Sequence, residues 1–311
     1  MLKSPLKGYS FALLATLAGS TVYIFSKAAL SEISLPQFGF YWFSLAIFWN
    51  AAYAFSTPEH RRFKAISKQS LKVMLWIGLI EIVATTTFYA AISVASNAAI
   101  PSFLRNMEYI FVAVMGVLLL GERFAKLEML GVILTLVGVL VISYHKDTSL
   151  QSFVTGTSGL MVVSTIFYAI RTISAKKHIE TVTPIMLAIN RAVFLFVFAA
   201  ILLFILNQSI VISRFAFINI LIGSFLGPFL TSLGQYNALK HIEASRSAIL
   251  QSSTALFVLL GAYMYFGKLP LAYQIVGGLF TIIGAILLII GRRIHFKCLY
   301  TRKATIGIKQ T

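Results

Sequence analysis

Residues 118–142, LLLGERFAKLEMLGVILTLVGVLVI, and residues 264–289, MYFGKLPLAYQIVGGLFTIIGAILLI, are two versions of one pattern. Three glycines recur at a constant spacing of 146 residues, Gly121, Gly131 and Gly138 as Gly267, Gly277 and Gly284. Glycines by themselves permit close packing of helices, but packing does not explain the matched order of the apolar residues around them. The two stretches therefore predict an internal repeat.

The repeat extends upstream of both stretches. Pro36 recurs as Pro184 at a spacing of 148 residues, and FYAAISVASNAAI at 88–100 is echoed by QYNALKHIEASRSAI at 235–249. We place five apolar segments in each copy. Because five is odd, the second copy has to enter a membrane from the opposite face, which is the inverted-repeat plan of many secondary transporters. A duplicated scaffold without a transport role is the alternative.

The composition predicts that these segments cross a membrane. Of 311 residues, 59% are hydrophobic and 11% are charged, and the mean hydropathy is +0.88. Soluble domains have about 25% charged residues, and a soluble fold of this size could not bury so much apolar surface. We therefore expect an all-α integral membrane protein with ten transmembrane helices built from two inverted five-helix repeats.

The spans are set by the length that a bilayer requires, about 20 apolar residues each. We place them at 8–29, 36–56, 71–94, 97–120, 126–144, 156–176, 183–206, 216–239, 245–266 and 270–291. The first repeat then covers 8–144, the second covers 156–291, and 292–311 is a basic tail. Pro36 and Pro184 fall in first turns, where a missing N–H costs little. Pro101 and Pro228 fall inside spans and should kink or break them.

Basic residues predict the orientation. Of the 26 Lys and Arg residues, 19 lie in the tails and loops on the N-terminal side of the membrane, and three, Lys146, Arg214 and Lys268, lie on the other side. By the positive-inside rule both termini are cytoplasmic, in a multi-pass protein of the cell inner membrane. This rule explains the net charge of +17 better than nucleic-acid binding does, and the tail is expected to lie on anionic lipid.

The order of these features resembles the drug/metabolite transporter (DMT) superfamily, EamA type. The resemblance covers residues 8–291 and rests on the two five-span halves and on a span that ends in Leu120-Gly121-Glu122 before a helix with glycines seven residues apart. Lys268 replaces the acidic residue in the second half, and Pro101 has no counterpart in the ninth span. The resemblance implies ten helices around a central cavity, alternating access, and movement of small metabolites such as amino acids.

Other classes of function lack their sequence signals. The single cysteine, Cys298, cannot form an internal disulfide, and the five histidines lie at or near predicted loops or tails. The sequence contains no P-loop, GxSxG or HExxH motif, so ATP hydrolysis and hydrolytic chemistry have no support. We predict that the protein is not an enzyme and has no catalytic residue, metal site or cofactor.

Ionisable residues within spans are the first candidates for substrate binding. A charge at mid-bilayer costs about 2.5–3.5 kcal/mol on insertion scales, so it usually faces a cavity or a partner. Glu81 lies in the third span, Arg105 and Glu108 share a face of the fourth, and Arg191 lies in the seventh. A structural ion pair is the alternative for Arg105 and Glu108, and a pair with Glu81 or with a carbonyl is the alternative for Arg191. Arg171, near the cytoplasmic end of the sixth span, is also a candidate, although it could snorkel to the headgroups.

Aromatic residues complete the predicted site: Trp42, Tyr89, Tyr109, Tyr168 and Tyr236. Tyr89 and Tyr236 occupy matching places in the two repeats. Such rings suit a flat or amphipathic ligand through stacking or cation–π contact, and core packing or an interfacial belt is the alternative. Arginines outnumber carboxylates by three to two within the spans, which would suit a carboxylate- or phosphate-bearing metabolite.

These observations favour a secondary transporter that moves a small metabolite, an amino acid or related compound, by alternating access, with export as the preferred direction. An uptake permease for a nucleoside-type or other metabolite, and a flippase for a lipid-linked substrate, are the alternatives. The expected partners are the small-molecule substrate, the lipid bilayer and a coupling proton carried by Glu81 or Glu108. No nucleic acid is expected, and the protein is expected to be a monomer or homodimer.

Overall fold

The computed structural model describes residues 5–56, 67–95, 99–122, 124–143 and 156–267, together with scattered positions between 272 and 287. Every regular element in these ranges is helical, and the scattered positions are helical too. The tenth predicted span falls largely outside the described residues, and the basic tail falls entirely outside them, as do Lys146 and Lys268.

The described helices follow the predicted spans. Those of the first half are α1 (Pro5–Leu30), α2 (Leu35–Ser56), α3 (Lys68–Val94), α4 (Ala99–Leu104), α5 (Asn106–Leu120) and α6 (Lys126–Ser143). Those of the second half are α7 (Thr157–His178), α8 (Pro184–Ile205), α9 (Arg214–Ser224), α10 (Ser232–His241), α11 (Ala244–Gln251) and α12 (Thr254–Phe266). A π-helical turn, Phe225–Thr231, joins α9 to α10.

Length and surface show a multi-pass membrane protein. In the described ranges, five helical stretches are long and apolar enough to cross a membrane, namely Pro5–Leu30, Lys68–Val94, Pro184–Ile205, Arg214–His241 and Ala244–Tyr265, and Asn106–Leu120 is a shorter apolar helix. Large apolar side chains point outward, among them Met264 at 86% exposure and Phe204 at 83%. Water-soluble proteins rarely expose apolar surface on this scale, so the outer face of the bundle suits lipid.

Short polar residues begin several helices. Ser67, Thr183 and Ser213 have extended backbones, and their hydroxyls accept backbone N–H groups in the first turns of α3, α8 and α9. These are N-caps, which satisfy donors that the helix cannot pair. At the other end, α5 and α12 stop at Gly121 and Gly267, with φ of 63° and 68°. Glycine adopts this left-handed conformation without a side-chain clash, so the repeated glycine ends the same helix in both halves.

Three predicted spans are interrupted. The fourth breaks at Arg105, between α4 and α5, where the N–H of Glu108 bonds to a carbonyl only three residues back. Pro101 lies in the first described turns of α4, so the break comes four residues later than the proline itself. Pro228 lies inside the π-helical turn, which confirms that the eighth span is disturbed at its proline, since proline removes a backbone donor.

The ninth span is interrupted although it contains no proline, and no local pattern in the sequence predicts this break. Ser252 and Ser253 separate α11 from α12, and their hydroxyls donate to the carbonyls of Ile249 and Leu250 at 2.7 Å. Serine side chains that bond locally to carbonyls compete with the helical ladder. This break at 252 lies 147 residues after the break at Arg105, so the interruption also repeats.

The helices pack in a pattern that is unchanged when the halves are exchanged. The extensive contacts are α1 with α10, α3 with α7, α2 with α8, and α5 with α11. In terms of predicted spans these are the first with the eighth, the third with the sixth, the second with the seventh, and the fourth with the ninth. Exchanging spans one to five with six to ten turns the first of these pairs into the second and the second into the first, and it leaves the other two pairs as they are.

Two lysines donate to carbonyls at helix ends in corresponding places of the two halves, and we call these two sets of contacts the lysine ties. The Lys27 ammonium, near the end of α1, donates to the carbonyls of Ile92, Ser93 and Ala95 at the end of α3, at 2.6–3.1 Å. The Lys176 ammonium, near the end of α7, donates to the carbonyls of Leu239 and Ile242 at the end of α10, at 2.6 and 2.7 Å. A cation at a helix C-terminus satisfies carbonyls that lack helical partners.

These lysine ties lie at opposite ends of the bundle. The ring of Phe11, early in α1, stacks on His241 at the end of α10, with 6.2 Å between centroids, whereas Lys27 lies sixteen residues further along the same helix. Sixteen residues of α-helix span roughly 24 Å. The tie at Lys176 therefore lies level with the start of α1, and the tie at Lys27 lies level with its end.

The glutamate of the Leu-Gly-Glu stretch joins the two halves. Glu122 accepts the backbone N–H groups of Ala244 and Ser245 at 2.8 and 2.9 Å, and it also accepts the Ser245 hydroxyl. A carboxylate at a helix N-terminus is stabilised by the unpaired donors and by the helix dipole. The first half of the chain thus caps α11 of the second half.

Candidate functional site

Glu81, in the middle of α3, is the centre of a buried charge network. One of its oxygens lies 3.3 Å from Arg171 Nη1 and accepts the Tyr236 hydroxyl at 3.1 Å. The other lies 3.2 Å from Arg191 Nε and accepts the Thr85 hydroxyl at 2.9 Å. Glu81 has no exposed side-chain area, so this carboxylate joins α3, α7, α8 and α10 through charged and hydroxyl donors.

A second carboxylate extends the network. Glu108, on α5, lies 3.0 Å from Arg105 Nε and 3.5 Å from Arg171 Nη2. The ion pair between Arg105 and Glu108, which was the alternative to a role in substrate binding, is therefore present. The ion pair of Arg191 with Glu81 is present too. The suggestion that Arg171 snorkels to the headgroups is wrong, because its side chain is 1% exposed and bridges both carboxylates.

The network holds three guanidinium groups and two carboxylates, so it carries one excess positive charge. Hydroxyl groups also accept hydrogen bonds from the network: Arg191 donates to Ser232 at 2.7 Å and to Thr85 and Tyr168 at 3.4 Å. Buried ions need such partners because desolvation costs several kcal/mol for each ion. The excess of arginine that the sequence predicted is thus gathered at one place.

A cavity opens beside the network. Its walls come from α1, the end of α3, the break at Arg105, α5, α8, the π-helical turn, α10 and the ninth span. The lining residues are Ala15, Gly19, Val22, Tyr23, Phe88, Tyr89, Arg105, Tyr109, Arg191, Gly227, Pro228, Thr231, Gln235, Gln251 and Thr254. Two arginines face the cavity, and no described carboxylate is among its lining residues.

Aromatic rings hold Arg105 at the cavity wall. Its guanidinium lies over the rings of Phe88 and Tyr168, at 4.7 and 4.4 Å from their centroids. Arginine stacks on aromatic faces through cation–π attraction. Its side chain is 16% exposed, against 1% for Arg171 and 10% for Arg191. Arg105 is therefore the most accessible cation of the network.

The ten predicted site residues divide into three groups. Four line the cavity: Tyr89, Arg105, Tyr109 and Arg191. Five belong to the network behind it: Glu81, Glu108, Tyr168, Arg171 and Tyr236. Trp42 lies outside both groups and packs against Phe38 and Tyr89, as the core-packing alternative proposed.

Other lining residues were missed. Gln235 accepts from Arg171 at 3.2 Å and donates to Gln251 at 3.1 Å, so an amide chain runs from the network to α11. An amide inside a spanning segment is the signal that could have found Gln235, as polar groups there need partners. Tyr23 and Phe88 carry no such signal, because aromatic residues are common throughout this sequence.

Within the described ranges no three His, Cys, Asp or Glu side chains converge on a point that could hold a metal ion. Carboxylates of the network contact arginines, which are cations themselves. The site is suited to hold an organic molecule by hydrogen bonds, charge and aromatic contact.

Comparison with known proteins agrees with this architecture. The family profile described as EamA-like transporter family matches residues 6–144 and, separately, 157–290. A protein of known crystal structure has the same fold, with a TM-score of 0.74 and 14% sequence identity over 94% of this chain and 99% of its own. No curated protein matches the chain in sequence.

Proposed function

The chain belongs to the EamA-like transporter family, and from that premise we propose that it is a secondary transporter that moves a small organic metabolite across the cytoplasmic membrane by alternating access. The family is one of membrane transporters of the DMT type, not of enzymes. The observation that carries the proposal is a cavity lined by two arginines at the meeting point of three interrupted helices. Transporters commonly bind substrates where spanning helices are discontinuous, near the bilayer midplane.

The proposal includes ten spans in two inverted halves, 8–144 and 156–291, with a basic cytoplasmic tail at 292–311. Four repeated features support it: the helix breaks at 105 and 252, the helix-ending glycines, the two lysine ties, and the packing pattern that survives exchange of the halves. Halves of opposite orientation give two states of similar energy, one open to each side. The lysine ties at opposite ends of the bundle are consistent with one such closure on each side.

The direction and energy source complete the proposal. We assign export of an amino acid or related compound, cytoplasmic termini, and coupling to a proton carried by Glu81 or Glu108. The ten predicted residues Trp42, Glu81, Tyr89, Arg105, Glu108, Tyr109, Tyr168, Arg171, Arg191 and Tyr236 form or support the substrate site. The chain acts as a monomer or homodimer.

Counterflow tests the proposal directly. Purified protein in liposomes is loaded with an unlabelled metabolite from a panel of amino acids and organic acids, and entry of the labelled compound is followed. We expect saturable, accelerated exchange of at least one compound, and loss of most of it in Arg191→Gln, which removes a charge from the cavity wall. Arg214→Gln, at an exposed site outside the cavity, is the matched control. Properly folded protein that exchanges no compound of the panel would overturn the assignment.

A further inference from the structure

The charged side chains that line the cavity are all positive. Arg105 and Arg191 face it, and no described carboxylate is among its lining residues. Both carboxylates of the network lie behind the wall, where Glu81 pairs with Arg171 and Arg191 and Glu108 pairs with Arg105 and Arg171. Three guanidinium groups thus share two carboxylates. A buried charge without a counter-ion is costly, so the excess positive charge favours a ligand that brings one negative charge.

Arg105 is the arginine best placed to meet such a ligand, because its side chain is the most exposed of the three guanidinium groups. Of the described carboxylates, only Glu108 lies within ion-pair distance, and it contacts Nε. A planar guanidinium presents two parallel N–H groups that match a carboxylate.

Tyr23 provides a second, independent indication. Its hydroxyl is buried, lines the same cavity and has no hydrogen-bond partner among the described residues. Buried hydroxyls nearly always have a partner. A carboxylate oxygen in the cavity would accept from this hydroxyl.

The amides at the cavity wall offer few free acceptors. The Gln235 carbonyl oxygen already accepts from Arg171, and the Gln251 carbonyl oxygen already accepts from Gln235. Gln251 in turn donates to the Ser247 hydroxyl at 2.9 Å. A ligand ammonium would therefore find no carboxylate on this wall, and it would have to share each amide oxygen with a donor that is already bound to it.

We propose that this cavity selects a monoanionic carboxylate with a flat apolar body, and that it discriminates against the zwitterionic amino acid of the same shape. The carboxylate binds Arg105 and Tyr23, and the apolar body lies against the rings of Phe88, Tyr89 and Tyr109. The proposal rests on the proposed transport function for the route of entry. Within the amino acids and related compounds assigned above, it narrows the substrate class of that site to related carboxylates that lack an ammonium group.

A charge series on one phenyl scaffold tests the selection. The probes are 3-phenylpropionate, phenylalanine, phenethylamine and phenyl phosphate, which bring one negative charge, no net charge, one positive charge, and close to two negative charges. Binding to purified protein in detergent is measured by ligand-induced thermal stabilisation and by calorimetry, and transport by counterflow in liposomes. We expect 3-phenylpropionate to bind at least roughly tenfold more tightly than the other three, since an unpaired buried charge is strongly disfavoured.

Two variants and one control locate the binding. Arg105→Met should weaken 3-phenylpropionate binding by roughly tenfold or more, because a hydrogen bond to a charged group is lost. The variant should still fold, because Glu108 keeps its contact with Arg171 and the network keeps two arginines against two carboxylates. Its melting temperature is measured beside the binding, so that a folding defect is distinguished from a binding defect. Tyr23→Phe should weaken binding about three- to tenfold. Arg214→Gln, which is exposed and distant from the lining, should bind as the parent does.

The outcomes separate the two proposals. Tight binding of 3-phenylpropionate without exchange in liposomes would retain the anion site and overturn the transport function. Exchange of phenylalanine, with 3-phenylpropionate binding no better, would retain transport and overturn the anion preference. Preference for phenyl phosphate, or full binding in Arg105→Met, would also overturn the monoanionic carboxylate assignment.

Discussion

Glu81 shows how much of the bundle depends on a single side chain. It contacts Arg171, Arg191, Thr85 and Tyr236, which come from α7, α8, α3 and α10. No other carboxylate of the network neutralises Arg191. The residue therefore stabilises the positions of four helices as well as the charge of the site.

Glu81→Gln should be strongly destabilising. It leaves three guanidinium groups against one carboxylate, and removing one partner of a buried pair costs about 3–5 kcal/mol. We expect a clearly lower melting temperature in detergent, and partial recovery in the double variant Glu81→Gln with Arg191→Gln, which restores the parent net charge. Glu180→Gln, at an exposed position, controls for the substitution itself. A parent-like melting temperature in Glu81→Gln would contradict the network as described.

Glu108→Gln tests proton coupling. Glu108 contacts two guanidinium groups, whereas Glu81 has four donors, so replacing it disturbs fewer partners. If it carries the coupling proton, the variant should retain exchange of substrate, which needs no net proton movement, and lose acceleration by a pH gradient. The measurement is counterflow and gradient-driven transport in the same liposomes. An unchanged response to the gradient excludes Glu108 as the carrier.

Among the elements, α11 is short and depends on the other half of the chain. Its eight residues begin where Glu122 accepts two backbone N–H groups, and its Arg246 side chain pairs with Glu128 through Nε and Nη2 at 3.0 and 3.1 Å. Isolated helices of this length are not stable. The connection after α5 therefore fixes the helix that carries Gln251 to the cavity.

Glu122→Ala should release the start of α11. The change leaves buried backbone donors without their carboxylate, at a cost of about 1–3 kcal/mol. We expect a lower melting temperature and faster hydrogen exchange of the amides at 244–247, with the amides of α8 unchanged. Hydrogen exchange read by mass spectrometry measures both, and equal exchange in the variant and the parent would show that the cap does not stabilise α11.

The sequence predicts helices better than it predicts their interruptions. Apolar length and capping residues such as Ser67 and Thr183 mark helix starts, and Gly121 and Gly267 mark helix ends, because these signals are local. Pro228 also marks its own π-helical turn. The break at Ser252 has no such marker, since serines occur within intact helices too, and their effect depends on which carbonyl they reach.

At the scale of the whole molecule, the position of the site follows from pairing between distant segments. Periodicity predicts that Arg105 and Glu108 share a face, and the structure has this pair. Nothing local to Arg171 shows that it meets Glu81, ninety residues away. The buried location of Arg171 is set by the packing of α3 on α7, and for this reason its snorkelling position was a wrong prediction.

Cysteine labelling tests the orientation of the whole bundle. Cys298 is the only native cysteine, so Cys298→Ser provides a background for single replacements. Lys68→Cys, at the start of α3, should be protected from an impermeant maleimide in intact cells, and Val211→Cys, in the exposed segment between α8 and α9, should be labelled. The reverse pattern would place the termini outside, and labelling of both from one side would overturn the predicted topology.

The two rings that hold Arg105 have a consequence for the thermodynamics of recognition. A free arginine side chain loses up to about 2 kcal/mol of conformational entropy when it is immobilised. Phe88 and Tyr168 restrict the Arg105 rotamers before any solute arrives. The side-chain entropy is therefore lost when the protein folds and is not lost again when a ligand binds. Preorganisation of this kind makes the affinity depend on the two rings as well as on the guanidinium, although neither ring has to touch the bound carboxylate.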